Sequence, residues 1–183
     1  MTRLVEQVRE TFATLSVCAT PPALIGGLAL AAHQVVRATR DVDLLADAAD
    51  AELIDGLLLA IGYQCVHRSA DVANYVRADE GLDVLFAHRP AALRLLRSAS
   101  ERSTAMGTLR VVSAEGLIGF KLQAMTNDPT RRQDVEDIRA LLRTQRGQLD
   151  MPEVSAYFEL FDRRDLLDEL LTEIADDARR PDA

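Results

Sequence analysis

Hydrophobic positions recur along the chain with two different periods, and together they predict a protein of the α/β class. Residues 3–15 place apolar side chains at helical spacing along one stripe, which predicts an amphipathic helix. Short apolar or alternating runs predict strands over residues 23–25, 41–46, 63–67, 74–77, 81–87 and 109–112. Further helical patterns cover residues 28–36, 51–61, 90–96, 114–125, 130–144, 151–161 and 163–178.

The order of these elements favours a mixed sheet over a sandwich, because short strands are interleaved with helices up to about residue 112. We therefore predict an α/β (α+β) core over residues 1–112, with a short mixed β-sheet flanked by helices. Residues 113–183 are predicted to form a helical C-terminal section packed on that core.

Composition narrows the range of partners. The chain has 183 residues and a formal net charge of −8, which argues against non-specific binding of nucleic acid, although it leaves room for a local basic patch. The first residues are charged and carry no apolar targeting segment, and the apolar runs are too short to cross a bilayer. With two cysteines far apart, the sequence predicts a cytoplasmic protein without a membrane partner.

Two acids two residues apart are the first candidate for chemistry. Asp41 and Asp43 lie on a predicted strand, so both carboxylates face the same side, roughly 6–7 Å apart at the backbone. Carboxylates this close repel one another unless a proton or a cation intervenes, and Mg²⁺ prefers hard oxygen ligands that it shares with phosphates. An Asp-x-Asp pair alone is more often a solvated strand face, but here apolar residues surround it.

A third acid, Asp83, interrupts an otherwise hydrophobic strand. A carboxylate buried without a partner is unfavourable, so this position requires an explanation. Asp83 is either an acid at a strand end paired with an arginine, or a third metal ligand that also orients or deprotonates an attacking hydroxyl.

A glycine pair between a predicted strand and a predicted helix is the next candidate. Gly26 and Gly27 would let the backbone approach a ligand closely, and the helix that follows would offer free N–H groups to a phosphate. Alone, such a pair indicates a turn and nothing more.

Taken together, these pieces resemble the signature of the DNA polymerase β-like nucleotidyltransferase superfamily. The string GGLALAAHQVVRATRDVDLL looks like the branch that contains the AbiEii-type toxins of abortive-infection and type IV toxin–antitoxin systems. The residues that match that branch are Gly26, Gly27, Ala29, Arg37, Thr39, Asp41 and Asp43. Lys121 and the segment RRQDVEDI at residues 131–138 also match, so the resemblance covers about residues 22–145.

The resemblance implies a nucleotidyltransferase that moves a nucleoside monophosphate from a nucleoside triphosphate to an acceptor and releases pyrophosphate. It implies that Asp41, Asp43 and Asp83 bind two Mg²⁺ ions and form the catalytic set. The implied contacts to the nucleotide come from Gly26, Gly27, Arg37, Thr39, Lys121 and Asp134.

Several of these residues also have ordinary structural interpretations. Arg37 could simply neutralise the acids, and Lys121, the single lysine of the chain, could be a solvated helix residue. Asp134 and Asp137 could form a solvated face or pair with Arg131, since residues three apart are neighbours on a helix.

The acceptor stays open at this point. The resembled toxins favour an RNA end such as that of tRNA, or a protein hydroxyl, and imply a possible cognate antitoxin. A small-molecule adenylyltransferase of the antibiotic-modifying kind is similar in the glycine and Asp-x-Asp pieces, but usually has a further His or Asp where Arg40 stands here. A non-catalytic module that retains the fold inside a toxin–antitoxin pair is the remaining alternative.

Overall fold

The computed structural model describes residues 3–179, which fall into two compact units. One unit comprises the residues up to 32 together with 36–113, and the other comprises residues 33–35 and those from 114 onward. Within residues 3–179, no helix is both long enough and apolar enough to span a membrane.

The first unit is built around one seven-stranded mixed sheet. Its elements in chain order are α1 (Arg3–Thr14), a 3-10 turn (Leu15–Val17), β1 (Ala23–Ile25), α2 (Gly26–Ala32), β2 (Val42–Asp47), a 3-10 turn (Ala48–Asp50), α3 (Ala51–Ala60), β3 (Gln64–Arg68), β4 (Val72–Arg77), β5 (Glu80–Ala87), α4 (Pro90–Ser98), β6 (Ser100–Thr104) and β7 (Gly107–Val111). The strand order is β3-β4-β5-β2-β1-β7-β6, in which β2 pairs with β5 and β1 with β7 in parallel, and the other neighbours are antiparallel. This sheet confirms the predicted mixed α/β class.

Alternation along the central strands separates an apolar face from a face that carries the acids. In β2, Val42, Leu44 and Ala46 are fully buried, while Asp43 between them is only half-buried. The same alternation runs along β5, where Asp83 is half-buried and its neighbours on either side in sequence are fully buried. Because side chains in a strand alternate between faces, the acids share the face opposite that apolar set.

Two predictions about this unit were wrong in detail. The helix predicted over residues 28–36 ends at Ala32, because the chain turns there and Gln34 takes a left-handed backbone with φ of 66°. The strand β6 was not predicted at all, since its sequence, SERST, has no apolar alternation. An edge strand has one neighbour and can be polar throughout, so the pattern that finds buried strands does not find it.

The second unit is helical. It contains α5 (Ala114–Asn127), α6 (Arg132–Thr144), α7 (Met151–Leu160) and α8 (Arg164–Arg179). On α8, Leu167, Leu170 and Ile174 form a buried apolar face, whereas Leu171 is 38% exposed and lies outside it.

Candidate active site

Two of the predicted acids lie directly opposite one another. Asp43 of β2 pairs in register with Asp83 of β5, and the two strands are parallel neighbours. Opposite residues on adjacent strands point to the same face of a sheet, with backbones roughly 4.8 Å apart. Asp43 and Asp83, 40 residues apart in sequence, therefore present their carboxylates side by side.

The third acid joins them from the end of β2. Asp41 precedes the first residue of the strand by one position, and its side chain is stacked over Gly81. A Cβ atom added at Gly81 would lie 2.5 Å from Asp41 Oδ1. Gly81 stands two residues before Asp83 in β5 and so shares its face, which places all three carboxyl groups on one side of the sheet.

The three acids form an anionic site that neighbouring groups compensate only in part. The pKa of Asp43 is raised from an ordinary value of 3.8 to about 6, chiefly by burial and then by the negative charges of Asp83 and Asp41. A hydrogen bond from the Gly27 N–H and the charge of Arg37 act in the opposite direction without cancelling the rise. A divalent cation would favour the ionised form of Asp43.

The donor set fits a hard cation, since it consists of carboxylate oxygens, the ligands that Mg²⁺ takes in proteins. Among the residues that the structure describes, no group of three or more His, Cys, Asp or Glu side chains is arranged so that it could hold a metal ion. The assignment of Asp41, Asp43 and Asp83 as metal ligands therefore stays a prediction, supported by their shared face and by the raised pKa of Asp43.

Steric crowding is a second reason, besides access for a ligand, why glycine is required at positions 26 and 27. Gly26 has φ of 63°, and a Cβ added there would lie 1.9 Å from Asp43 Oδ2. A Cβ added at Gly27 would lie 2.8 Å from the Cβ of Thr39 and 3.2 Å from an Arg37 guanidinium nitrogen. The turn between β1 and α2 thus gathers three further predicted site residues, Gly27, Arg37 and Thr39, around Asp43.

Two residues of this site were not predicted from the sequence. Asn74 of β4 donates from Nδ2 to Asp83 Oδ1 at 2.6 Å. Gly81 has no side chain and so leaves the space that the Asp41 side chain occupies. Both residues have a sequence feature that could have pointed to them. A glycine in a strand often marks close approach of another group, and an amide inside the apolar run of β4 is unusual for a buried strand.

Two predicted nucleotide contacts, Lys121 and Asp134, lie in the helical unit and bind each other. Lys121 Nζ is 3.0 Å from Asp134 Oδ1 and 2.6 Å from Asp137 Oδ2, and it is only 8% exposed, so it is not a solvated helix residue. Burial opposes ionisation of Asp134, but hydrogen bonds from Arg131 and Lys121 more than offset this and hold its pKa below the ordinary value. The contact of Lys121 and Asp134 with nucleotide stays a prediction.

Three of the five arginines between residues 131 and 146, which could have formed a basic strip, are matched by acids of the same unit. Arg131 pairs with Asp134, Arg139 with Glu136 and Glu173, and Arg143 with Asp177. These pairs reduce the positive charge that α6 could offer to a nucleic acid backbone.

Substitution by alanine is expected to affect stability differently at Gly26 and Gly81, the two glycines that lie against the acids. Gly26→Ala places a methyl group against the Asp43 side chain down to its Cβ, 2.8 Å away, on a left-handed backbone. We expect it to lower the free energy of unfolding by roughly 2–4 kcal/mol, measured by urea denaturation. Gly81→Ala meets only the outer atoms of Asp41, which can rotate away, so we expect less than about 1 kcal/mol.

If Asp41 serves the site from its place over Gly81, the stable Gly81→Ala variant should still lose activity, because the displaced carboxylate no longer faces the other acids. A Gly81→Ala protein with wild-type activity would show that this position of Asp41 is not needed.

Comparison with solved structures identifies the class of fold that this sheet and its acids define. The chain superimposes on ANT(2")-Ia, solved in complex with adenylyl-2"-tobramycin, with a TM-score of 0.68 over 89% of this chain and 99% of that one, at 18% identity. It superimposes on the lincosamide antibiotic adenylyltransferase LnuA, bound to lincomycin, with a TM-score of 0.55 over 77% of this chain and 96% of that one, at 16% identity.

A third similar structure is an antigenic nucleotidyltransferase-like protein from Paracoccidioides brasiliensis, with a TM-score of 0.56, 18% identity and 93% of each chain covered. No protein-family model matches the sequence, and no curated protein matches it. The chain has the nucleotidyltransferase fold.

Proposed function

We propose that this protein is a metal-dependent nucleotidyltransferase that transfers a nucleoside monophosphate from a nucleoside triphosphate to an acceptor hydroxyl and releases pyrophosphate. The observation that carries the proposal is the row formed by Asp43 and Asp83, with Asp41 on the same face, in which the pKa of the central carboxyl is raised to about 6. A protein gains nothing for its stability from such repulsion, and the nucleotidyltransferase fold of the chain is the second support.

Each side chain has a distinct task under this proposal. Asp41, Asp43 and Asp83 would hold two Mg²⁺ ions, which when bound would stabilise charge on the attacking and leaving oxygens of an in-line displacement. Asp83, at the end of the row away from the glycine turn, would orient the acceptor hydroxyl. Arg37 and Thr39, gathered at the turn of Gly26 and Gly27, would contact the triphosphate.

Two classes of acceptor are supported by different observations. The antibiotic adenylyltransferases among the similar structures support a small-molecule hydroxyl, and ANT(2")-Ia superimposes over almost its whole length. The motif resemblance to AbiEii-type toxins supports an RNA end or a protein hydroxyl, with a cognate antitoxin as a possible partner. The pairing of Arg131, Arg139 and Arg143 with acids weakens the case for RNA.

A transfer assay tests the proposal. Each ribonucleoside triphosphate, labelled at the α-phosphate, is incubated with Mg²⁺ and with tRNA, a protein extract, tobramycin or lincomycin in turn. We expect label to move to one acceptor class with release of pyrophosphate, and an Asp83→Asn control to leave it on the nucleotide. No transfer combined with no calorimetric binding of any triphosphate would instead support the non-catalytic binding module.

A further inference from the structure

The strand β4 carries a side chain that is bonded directly to one of the proposed metal ligands. Asn74 lies in register opposite Asp83, in a hairpin that is closed by Ala78 and Asp79 and whose last pair is Arg77 with Glu80. The hairpin fixes this register strongly, because Arg77 Nε also bonds Glu80 Oε2 at 2.6 Å. A slip of one residue would turn Asn74 to the opposite face of the sheet, away from Asp83.

The chemistry of the bond assigns its direction. An ionised carboxylate can only accept, so the amide must present its NH₂ group to Asp83, at a distance of 2.6 Å from Oδ1. A hydrogen bond to a charged acceptor is stronger than one between neutral groups and fixes the orientation of the carboxylate plane. Among residues 3–179, Oδ2 of Asp83 takes no hydrogen bond, so it is the oxygen left for another ligand.

We propose that Asn74 is a positioning residue that binds Oδ1 of Asp83 and so presents Oδ2 to the cation shared with Asp43. The inference rests on the proposed function, and it extends that function to a residue that would touch neither nucleotide nor acceptor. Groups that orient a metal ligand from behind contribute about 10–100-fold to metal affinity or activity when they are lost.

The test compares two Asn74 variants with a matched control. Asn74→Leu keeps the size of the side chain and removes the donor, and Asn74→Gln retains the donor on a longer stem. Val72→Thr is the control, because Val72 lies on the same strand and face, two residues away, and pairs with Leu85 and not with an acid. All three proteins are titrated with Mn²⁺ alone, followed by electron paramagnetic resonance, and are then assayed for the Mg²⁺ dependence of transfer.

We expect Asn74→Leu to weaken Mn²⁺ binding about tenfold and to raise the half-saturating Mg²⁺ concentration for transfer by a similar factor, with the KM for nucleotide unchanged. Asn74→Gln should recover part of the loss, and Val72→Thr should match the wild type. A loss of Mn²⁺ affinity in Asn74→Leu that Asn74→Gln partly recovers and Val72→Thr does not share separates a positioning role from a purely structural one.

The outcomes distinguish this inference from the proposed function. Wild-type transfer together with unchanged Mn²⁺ affinity in Asn74→Leu would overturn the positioning role alone. An equal loss in Val72→Thr would do the same, since it would trace the effect to the strand. A wild-type protein that binds no Mn²⁺ and transfers no nucleotide would overturn both, because Asp83 would then have no cation to hold.

Discussion

Replacing Asp43 with Asn is expected to abolish nucleotidyl transfer and, at the same time, to make the protein more stable above pH 6. The loss of activity follows from removing the central carboxylate of the row, which under our proposal shares a cation with both other acids. Loss of several kcal/mol of stabilisation of transition-state charge corresponds to about a thousandfold or more in rate.

The gain in stability follows from the raised pKa of the Asp43 carboxyl. Because burial and the charges of Asp83 and Asp41 raise this pKa to about 6, the folded protein binds the proton more tightly than the unfolded chain, whose carboxyl titrates near 3.8. The contribution of Asp43 to stability is therefore fully present below the unfolded pKa and is lost as the pH rises through the folded one. Above that range the ionised carboxylate destabilises the fold by up to about 3 kcal/mol.

Urea denaturation of both proteins between about pH 4 and pH 8 measures this effect. The wild type should lose stability relative to Asp43→Asn across that window, and saturating Mg²⁺ should restore much of the difference at the upper end. Leu44→Ile, at the next position on the opposite face of β2, is a suitable control for disturbance of the strand. An Asp43→Asn protein that is less stable than the wild type at neutral pH would contradict this account of the site.

Replacing Lys121 with Met is expected to destabilise the protein strongly. Lys121 lies between Asp134 and Asp137, which are 4% and 2% exposed, and the substitution leaves both carboxylates without their ammonium partner. Breaking a buried ion pair from one side destabilises a protein by about 3–5 kcal/mol. Because Arg131 still bonds Asp134 and Gln133 still bonds Asp137, we expect a value near the lower limit.

The measurement is the free energy of unfolding in urea, with Arg132→Met as the control. Arg132 is exposed on α6, the helix that carries Asp134 and Asp137, and is expected to change stability by less than about 0.5 kcal/mol. A wild-type midpoint for Lys121→Met would show that the buried cluster contributes nothing to the fold. Calorimetric binding of the triphosphate at a temperature where the variant stays folded then tests the implied contact of Lys121 with nucleotide.

The sequence identified those parts of the site that local patterns encode. Asp41 and Asp43 stand out because they alternate with apolar residues, and Asp83 because it interrupts a hydrophobic strand. Their side-by-side placement needed the pairing of β2 with β5, which joins positions 40 residues apart and has no local pattern of its own. The resemblance to a known superfamily, and not periodicity, supplied that expectation.

The contacts of Asn74 with Asp83 and of Gly81 with Asp41 are not encoded in local sequence patterns. The amide of Asn74 lies opposite Asp83 only because the hairpin turns at Ala78 and Asp79. The sequence does not fix the position of that turn, because Glu80 and Gly81 could also belong to it. A turn two residues later would have aligned Asn74 with a different residue. Gly81 is likewise explained by Asp41 across the sheet, a contact that sequence spacing cannot reveal.

In the helical unit, the sequence predicted the limits of the helices better than it predicted the partners of the charged residues. The helices α5 to α8 begin and end within a few residues of the predicted limits. The apolar stripe is clear on α6 and α8, whereas α5 is buried on most of its sides. The polar residues were harder to place. The burial of Lys121 and its contact with Asp134 depend on the packing of α5 against α6. The sequence of neither helix determines that packing alone.

A crystal structure with Mg²⁺ and a non-hydrolysable nucleoside triphosphate is the decisive test of the three-acid site. We predict a cation bound by carboxylate oxygens of Asp41, Asp43 and Asp83, with the triphosphate against the turn of Gly26 and Gly27. A cation and triphosphate bound away from the face of the sheet that carries these acids, with the three carboxylates left without metal, would contradict it.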